Sequence, residues 1–481
     1  MTHNLDAFLK GCENIADKIL RHIEKGDLIQ IVSHLDADGV AAGSIMAKAI
    51  HRLGGNFSLR VAKQVDERLI ERMLQVKAKL YIFAEIGSGY LDLLTRIREA
   101  EVLVIDHHKP LEGSYPSIAM VNPHLYGIDG ASEISGAGVC YIVAKKLSQE
   151  NIDLSPLGVV GALGDLQDKN EKRSLTGLNQ VIVEDAVDGG YLEVRTDLLF
   201  YGRETRPIYK AIASTMNPFI PGLSGEEGNS LGFLVNLGIP LKAGEKFRTL
   251  ADLTAEEKQR IYSELTKYLS SKGFTSSLII SLIGSVYTLL KEDRLTPMRD
   301  GREFASLLNA CARMDKPGVA VALCMGDRGE ALNEAQNILS EYRKVISRYM
   351  GHLLGEARER IRDLENICIV DCEGIVDENL LSPVASILST SGVLNQEKPL
   401  LFLTRTREGE VKVSARASET LVGRGLSVGT IMQTAAERVK GRGGGHSVAA
   451  GANIPHDQKD NFIRLVDQLA KSALLKSDVQ S

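Results

Sequence analysis

Acidic and imidazole side chains gather in two short clusters that lie far apart in the chain. The clusters consist of His34, Asp36 and Asp38, and of Asp106, His107 and His108. Carboxylate oxygens mixed with imidazole nitrogens suit Mn²⁺ or Mg²⁺ better than a structural zinc. Such cations bind phosphate oxygens and activate water, so the clusters predict a metal-dependent enzyme that acts on phosphate esters.

Each cluster directly follows an apolar run that is typical of a buried strand. Residues 28–32 precede the first cluster and residues 102–105 precede the second. Two further apolar runs end at Glu85 and at Asp165, and we interpret all four runs as strands. Because the carboxyl ends of parallel strands meet at the edge of an open α/β sheet where ligands bind, these side chains are expected to converge.

Each residue taken singly has a simpler explanation, because an Asp that follows a strand commonly caps the next helix. A single histidine is more often a hydrogen-bonded surface or core residue than a ligand. Four successive strand ends that all carry Asp, Glu or His are difficult to explain as caps, and they favour a shared metal site. Two divalent cations about 4 Å apart can clamp a scissile phosphate and activate the water between them.

The composition is that of an ordinary globular protein. The chain has 481 residues, 44% of them hydrophobic, and this length predicts about two or three domains. It has no apolar run long enough to span a membrane and no leader pattern, and its six scattered cysteines indicate reduced thiols in a cytoplasmic protein. The net charge of −5 excludes a globally basic nucleic-acid binder, so such contact would need a local basic surface.

The order of strand and helix signals predicts the domain organisation. Residues 1–200 alternate strand and helix, which indicates an α/β fold with a doubly wound, mainly parallel sheet. Residues 201–345 are predicted to be mostly helical and offer a surface on which a partner could dock. Paired charges favour a solvated linker helix over residues 346–365, and residues 366–481 are expected to form a second, smaller α/β domain.

A glycine-rich segment in this last domain indicates a second site. Three consecutive glycines expose backbone N–H groups that can cradle phosphate oxygens, although an isolated run of this kind could be a plain flexible turn. An arginine on a nearby predicted strand can add a bidentate phosphate contact, which favours substrate binding. The residues concerned are Arg416, Ser414, Gly443, Gly444, Gly445 and His446. Residues 203–210, with Arg203 and Arg206, either line the path of a nucleic-acid strand or begin a solvated helix.

Together these motifs resemble those of the DHH phosphoesterase superfamily. The matching segments are His34-x-Asp36-x-Asp38-Gly39, Asp106-His107-His108 and Gly161-Ala162-Leu163-Gly164-Asp165. The segments that resemble the DHH-associated domain are Ser414-x-Arg416, Gly443-Gly444-Gly445-His446 and Ala449-Ala450-Gly451. Over nearly its whole length the chain looks like the archaeal RecJ-like single-strand exonucleases of the GINS-associated type.

The resemblance implies a role for each site residue. It implies one Mn²⁺ or Mg²⁺ on His34, Asp36 and Glu85, and a second on Asp38, Glu85, His107 and Asp165. It places His108 against the substrate phosphate, and Asp106 behind His107, whose ring it would orient. The residue types alone agree with this set but do not divide the ligands between the two cations.

One position departs from the family pattern. The family usually has Asp where this chain has Glu85, the residue expected to bridge the cations. Glutamate remains a hard anionic ligand but reaches about 1.5 Å further. A misplacement of about 1 Å can cost about a hundredfold in rate. The substitution therefore leaves either an enzyme with an altered site or a step towards a protein without catalysis.

Three functions are consistent with these observations. The first is an exonuclease for single-stranded DNA or RNA in DNA replication or repair, which by resemblance would associate with the GINS complex and through it with the MCM helicase. The second is a replisome scaffold that has lost catalysis, although retained ligands argue against it because crowded carboxylates repel without cations. The third is a phosphodiesterase for very short oligonucleotides or cyclic dinucleotides, which the extra helical region disfavours.

Overall fold

The computed structural model describes residues 2–215, 220–271, 279–355, 358–390 and 394–478. These residues form two compact units, and the boundary between the units falls inside one long helix, between Leu339 and Ser340. Among the described residues, no helix combines the length and the apolar character needed to cross a membrane. The six cysteines are buried and form no disulfide within this described part of the chain.

The first unit is built on a five-stranded parallel sheet with the order β2-β1-β3-β4-β5. Its strands are β1 Leu28–His34, β2 Asn56–Ala62, β3 Leu80–Ala84, β4 Glu101–Ile105 and β5 Ile118–Val121. The apolar runs before His34, Glu85 and Asp106 are thus strands, and the doubly wound α/β class is confirmed. In this strand order the connections leave in opposite directions from β1 and β3, which creates a crevice at their carboxyl ends.

Helices cover the sheet and hold its strands in place. They are α1 Thr2–Glu24, α2 Ala37–Arg52, α3 Glu67–Leu74, α4 Leu91–Leu94, α5 Gly136–Leu147, α6 Ser155–Gly164 and α7 Leu178–Asp188. Helix α1 was not predicted from the sequence, although its buried Phe8, Cys12, Ile15 and Ile19 recur at the three- and four-residue spacing of an amphipathic helix.

The segment that ends at Asp165 is a helix, so the expected fourth strand is wrong. A continuous run of small apolar residues fits a buried strand and a buried helix equally well, because neither leaves a polar face. Here the run packs as α6 among other helices, and Asp165 follows its last turn. The carboxylate still reaches the site, but it comes from a helix end.

The rest of the first unit is mostly helical, with two pairs of antiparallel strands. The helices are α8 Ile208–Ser214, α9 Glu227–Asn236, α10 Ala255–Ser271, α11 Gly301–Arg313, α12 Pro317–Met325 and α13 Glu330–Leu354, which crosses the unit boundary. The strands are β6 Leu192–Leu198, the short hairpin β7 Lys242–Ala243 and β8 Lys246–Phe247, and β9 Ile283–Leu289. Strand β6 pairs with β9 along its whole length.

The second unit is a six-stranded mixed sheet with helices against it. In spatial order its strands are β10 Ile361–Asp363, β11 Cys368–Asp371, β12 Leu400–Arg405, β13 Val411–Arg416, β15 Ala449–Ile454 and β14 Arg442–Gly445. Its helices are α14 Leu381–Thr390, α15 Glu419–Gly423, α16 Val428–Arg438 and α17 Lys459–Asp478. This sheet agrees with the second α/β domain expected from the sequence.

Two local expectations in this part of the chain are wrong. The charged run over residues 356–363 is not a linker helix: Arg358–Arg360 form a single 3₁₀ turn and Ile361–Asp363 form β10, while residues 356 and 357 lie outside the described residues. The glycine-rich segment is not a loop but edge strand β14. There a side chain at Gly443 would meet the Met432 carbonyl of α16 at 2.6 Å, so glycine allows close packing of strand and helix.

Candidate metal centre

The site begins where β1 turns into α2. His34 is the last residue of β1, and Asp36 caps α2 by accepting the Gly39 amide at 2.9 Å with Oδ1. Its other oxygen, Oδ2, lies 3.1 Å from Nδ1 of His34. Asp36 therefore fills both roles considered for it, since one oxygen caps the helix and the other faces the cluster.

Glu85 lies at the centre of the cluster, immediately after β3. One carboxylate oxygen, Oε2, is 3.1 Å from Nδ1 of His34. The other, Oε1, is 3.6 Å from Nε2 of His107 and 3.5 Å from Nδ1 of His108. The side chain is only 2% exposed, and its backbone adopts a φ of 60°, which L-residues rarely adopt. The turn after β3 thus directs this carboxylate between the two sequence clusters.

Asp38, His107 and Asp165 form the other half of the site. Oδ2 of Asp38 is 3.6 Å from Nε2 of His107, and Oδ2 of Asp165 is 3.9 Å from Nδ1 of the same ring. The amides of Gly136 and Ala137, at the start of α5, donate to the Asp38 carboxylate at 2.7 and 3.0 Å. The helix N-terminus therefore fixes the orientation of a buried carboxylate and stabilises its charge.

Asp106 acts differently from the role implied by the resemblance. Its Oδ1 accepts from the backbone amides of His107 and His108 and lies 2.9 Å from Nδ1 of His108, while Oδ2 accepts from the amide of Ser88. The carboxylate therefore orients the ring of His108, and the expectation that it orients the ring of His107 is wrong. The ring of His107 is held instead by the Gly130 carbonyl, 2.6 Å from its Nδ1.

Gln167 is a site residue that sequence reasoning missed. Its Nε2 donates to Oδ2 of Asp165 and to the Gly130 carbonyl, each at 2.9 Å, and its Oε1 accepts from Asn179. One buried amide thus links the Asp165 carboxylate to the carbonyl that holds His107. No motif marks an uncharged residue of this kind, and its position two residues after Asp165 is the only signal that the sequence offers.

Burial and close charges shift the pKa values of the cluster. Burial, together with Glu85 and Asp165, raises the pKa of Asp38 to about 8, and burial likewise raises the pKa of Asp165. Burial disfavours the imidazolium form of His34, but Asp36 and Glu85 outweigh it and raise the pKa of His34 well above its usual range. Burial and nearby carboxylates oppose each other in the same way at His107, with a raised pKa as the result. Groups with a raised pKa bind their protons more tightly, so a divalent cation that bound here would displace protons.

The donor set is suited to divalent cations. Three groups of residues each offer ligand atoms that all lie within 4.8 Å of one another inside the group. The groups are His34, Asp36 and Glu85; Asp38, His107 and Asp165; and Glu85, Asp106, His107 and His108. Nδ1 of His34, Oε2 of Glu85 and Nε2 of His107 are buried yet make no hydrogen bond with any residue that the structure describes. Buried polar atoms rarely stay unpaired, so these three are suited to a ligand. The six residues predicted as metal ligands are thus all brought together.

Glycines make the close packing around the cluster feasible. A Cβ atom at Gly39 would stand 2.6 Å from Oε2 of Glu85, and one at Gly161 would stand 2.4 Å from Oδ1 of Asp38. Both distances are shorter than any contact that real side chains tolerate. Small residues in the sequence motifs therefore leave the space that the carboxylates occupy.

In the second unit, the strand register places Ser414 and Gly444 on either side of Gly451. The guanidinium of Arg416 donates to the hydroxyls of Ser414, Ser386 and Ser382 at 2.9 to 3.2 Å, which makes a half-buried polar cluster on β13 and α14. Gly444 lies on edge strand β14 with open space where its side chain would be, and His446 follows that strand and is exposed. Ser382 and Ser386 had no sequence motif to mark them.

Arg203 neither lines an exposed path for a nucleic-acid strand nor begins a solvated helix. It is 9% exposed, its Nη2 donates to Asp197 at 2.8 Å, and its backbone amide donates to Glu303 at 3.1 Å. Helix α8 begins only at Ile208. The residue therefore anchors a buried turn.

Sequence profiles of known families match three parts of the chain. The DHH family N-terminal domain matches residues 28–160, the DHH-CID domain matches residues 200–283 and the DHHA1 domain matches residues 366–472. In addition, an uncharacterized protein of Methanocaldococcus jannaschii is 31% identical over 477 residues, which cover 98% of each chain. The chain belongs to the DHH family.

Within the DHH superfamily the chain is RecJ-like, as expected. It is 25% identical over 186 residues to the single-stranded-DNA-specific exonuclease RecJ of Bacillus subtilis, a match that covers 36% of this chain and 24% of that protein. The structure of Thermus thermophilus RecJ in complex with Mn²⁺ aligns with a TM-score of 0.57 and 18% identity over 96% of this chain and 55% of RecJ. CDC45 of Entamoeba histolytica aligns with a TM-score of 0.63 and 13% identity over 96% of this chain and 99% of CDC45. These two structures show that the DHH chain shares their fold.

Proposed function

We propose that this DHH protein is a two-metal-dependent nuclease that removes nucleotides from the end of single-stranded DNA or RNA. The observation that carries the proposal is the position of Glu85, whose two oxygens face His34 on one side and His107 on the other. A carboxylate in that position can serve two cations at once, which is the arrangement that phosphodiester hydrolysis by paired metals requires.

The proposed roles of the chain's residues follow from their partners. His34 and Asp36 with Glu85 would hold one Mn²⁺ or Mg²⁺, and Asp38, His107 and Asp165 with Glu85 would hold the other. Such cations would neutralise charge on the scissile phosphate and acidify an attacking water. His108 is the most exposed of the candidate ligands at 43%, and Asp106 fixes its ring, so it can bind and orient a substrate phosphate.

The proposed substrate is single-stranded nucleic acid. The Bacillus subtilis relative RecJ is a single-stranded-DNA-specific exonuclease, which supports this choice. The Arg416 cluster of the DHHA1 domain offers charge and hydroxyl donors for a phosphate. The negative net charge of the chain agrees with local rather than general contact with nucleic acid.

The test is degradation of end-labelled single strands of DNA and RNA by the purified protein with Mn²⁺, with a blunt duplex alongside. Stepwise shortening of single strands and no attack on the duplex would support the proposal. Cleavage restricted to oligonucleotides of a few residues or to cyclic dinucleotides would favour a small-substrate phosphodiesterase. Absence of cleavage despite measurable Mn²⁺ binding would contradict the nuclease.

A replisome scaffold is the second candidate, favoured by the CDC45 fold over 96% of this chain and by the departure at Glu85. A proposed partner is the GINS complex, and through it MCM, for which the middle region offers exposed apolar side chains: Val235 at 58%, Phe247 at 45% and Leu231 at 37%. If this surface binds GINS, Val235→Asp should abolish co-elution with purified GINS, whereas the matched exposed change Val187→Asp should not. Co-elution unaffected by Val235→Asp would rule out this surface.

A further inference from the structure

Helix α11 lies outside the matched DHH N-terminal domain, yet it contacts two of the chain segments that carry cluster carboxylates, at Ala37 and at Asp168. Oδ1 of Asn309 accepts a hydrogen bond of 3.0 Å from the amide of Ala37. Two helical turns earlier, Arg302 donates through Nε to Oδ2 of Asp168 at 3.0 Å. Residues seven apart lie on one face of a helix, so a single face of α11 supports both segments.

The amide of Ala37 is a sensitive point for the site. Ala37 stands between Asp36 and Asp38, is fully buried, and is the first residue of α2. The first amides of a helix have no partner within the helix, so this N–H needs an acceptor from elsewhere. Asn309 supplies that acceptor from a position 272 residues further along the chain.

We propose that Asn309 is a positioning residue for the cation cluster. By fixing the Ala37 amide, its side-chain carbonyl holds the short segment that carries the Asp36 and Asp38 carboxylates. The inference rests on the proposed metal site and extends it: the matched DHH N-terminal domain does not position its own ligands completely, and the chain after the DHH-CID match completes it.

The hydrogen bond of Asn309 distinguishes a role in positioning the metal segment from simple packing of helix α11. Asn309 is half-buried, and the oxygen that accepts from Ala37 is the part of the side chain on which the proposal depends. Ser306, one turn earlier and also half-buried, donates only within α11, to the Arg302 carbonyl at 2.8 Å. Ser306→Ala is therefore a matched control that removes a polar group from the same helix without touching the metal segment.

The experiment is a calorimetric titration of the full chain with Mn²⁺, with thermal unfolding in the absence of metal as the measure of folding. Asn309→Leu keeps the volume and removes the acceptor, and it should weaken Mn²⁺ binding about 10- to 100-fold, as loss of partners behind metal ligands commonly does. Asn309→Asp keeps an acceptor at the same distance and should restore binding close to that of the natural protein. Ser306→Ala should leave Mn²⁺ binding unchanged.

Two results would overturn the inference: unchanged Mn²⁺ affinity in Asn309→Leu, or an Asn309→Asp protein that is as impaired as Asn309→Leu. If Asn309→Leu does not fold, Asn309→Ala, which adds no bulk, takes its place with the same expectations. A natural protein that binds no Mn²⁺ would instead contradict the proposed function, so the two failures are distinguishable.

Discussion

Glu85 occupies the space that a side chain at residue 136 would fill. A Cβ atom at Gly136 would stand 2.2 Å from Cγ of Glu85 and 2.6 Å from its Cβ. The amide of the same glycine donates to Asp38. Because Gly136 has no side chain, it leaves the space that the side chain of Glu85 occupies. Its backbone amide also binds a second carboxylate, that of Asp38.

Gly136→Ala is accordingly expected to displace Glu85 and reduce the rate of nucleic-acid cleavage. A shift of about 1 Å in a catalytic group can cost about a hundredfold. The rate of degradation of labelled single strands measures the effect. Gly89→Ala is the matched control, because a side chain there would meet no atom within 4 Å. Equal activity of the two variants would show that Glu85 has more room than this geometry allows.

Glu85→Asp should impair the natural protein, even though the family usually has Asp at this position. The shorter side chain draws back by about 1.5 Å. It cannot then reach both His34 and His107 from a backbone placed for glutamate. The expected result is weaker Mn²⁺ binding and slower cleavage, with the exposed Glu99→Asp as control. An inactive natural protein that gains activity with Glu85→Asp would favour the scaffold.

Asp165→Ala should abolish cleavage and leave binding of single strands nearly intact. The change removes one carboxylate of the second ligand group and frees Gln167 from one of its partners. Cleavage and fluorescence anisotropy with a labelled strand measure the two properties separately. The exposed Asp92→Ala is the control, and full cleavage by Asp165→Ala would contradict the metal assignment.

Arg416→Ala should weaken binding of single strands and flatten its dependence on salt. Each phosphate contact that is lost reduces the slope of log K against log salt by about 0.7 for a single strand. The exposed Arg405→Ala, at the end of β12, tests whether any arginine of this unit has the same effect. An unchanged salt slope for Arg416→Ala would mean that its guanidinium only ties β13 to α14.

Arg302→Met should lower the free energy of unfolding by about 3 kcal/mol, because it leaves the buried Asp168 without its main partner. Asp168 is 1% exposed, and its second arginine, Arg173, is 3.9 Å away. Thermal unfolding of the full chain measures the loss. Arg195→Met removes an arginine whose side chain is 75% exposed and should leave the melting temperature unchanged. Equal melting temperatures for the two variants would contradict this reading of the pair.

The sequence was sufficient to predict the residues that converge, because strand periodicity and charge type are local properties. The strand ends at His34, Glu85 and Asp106 followed from short apolar runs, which are typical of strands in a buried parallel sheet. The prediction that Asp165 joins the cluster is correct, but the apolar run before it is helix α6 and not the predicted strand. Gln167 could not be found, because an uncharged residue that acts through contacts far along the chain leaves no local pattern.

The pairing of β6 with β9 has a consequence for how this protein can change. Leu198 lies opposite Ile283, and the next amide, that of Leu199, donates to the Leu282 carbonyl. The matched DHH-CID segment, residues 200–283, thus leaves and rejoins the chain at neighbouring points. Changes in the length of this segment can therefore accumulate while β6 and β9 stay paired, without moving the strands that carry the candidate cation ligands.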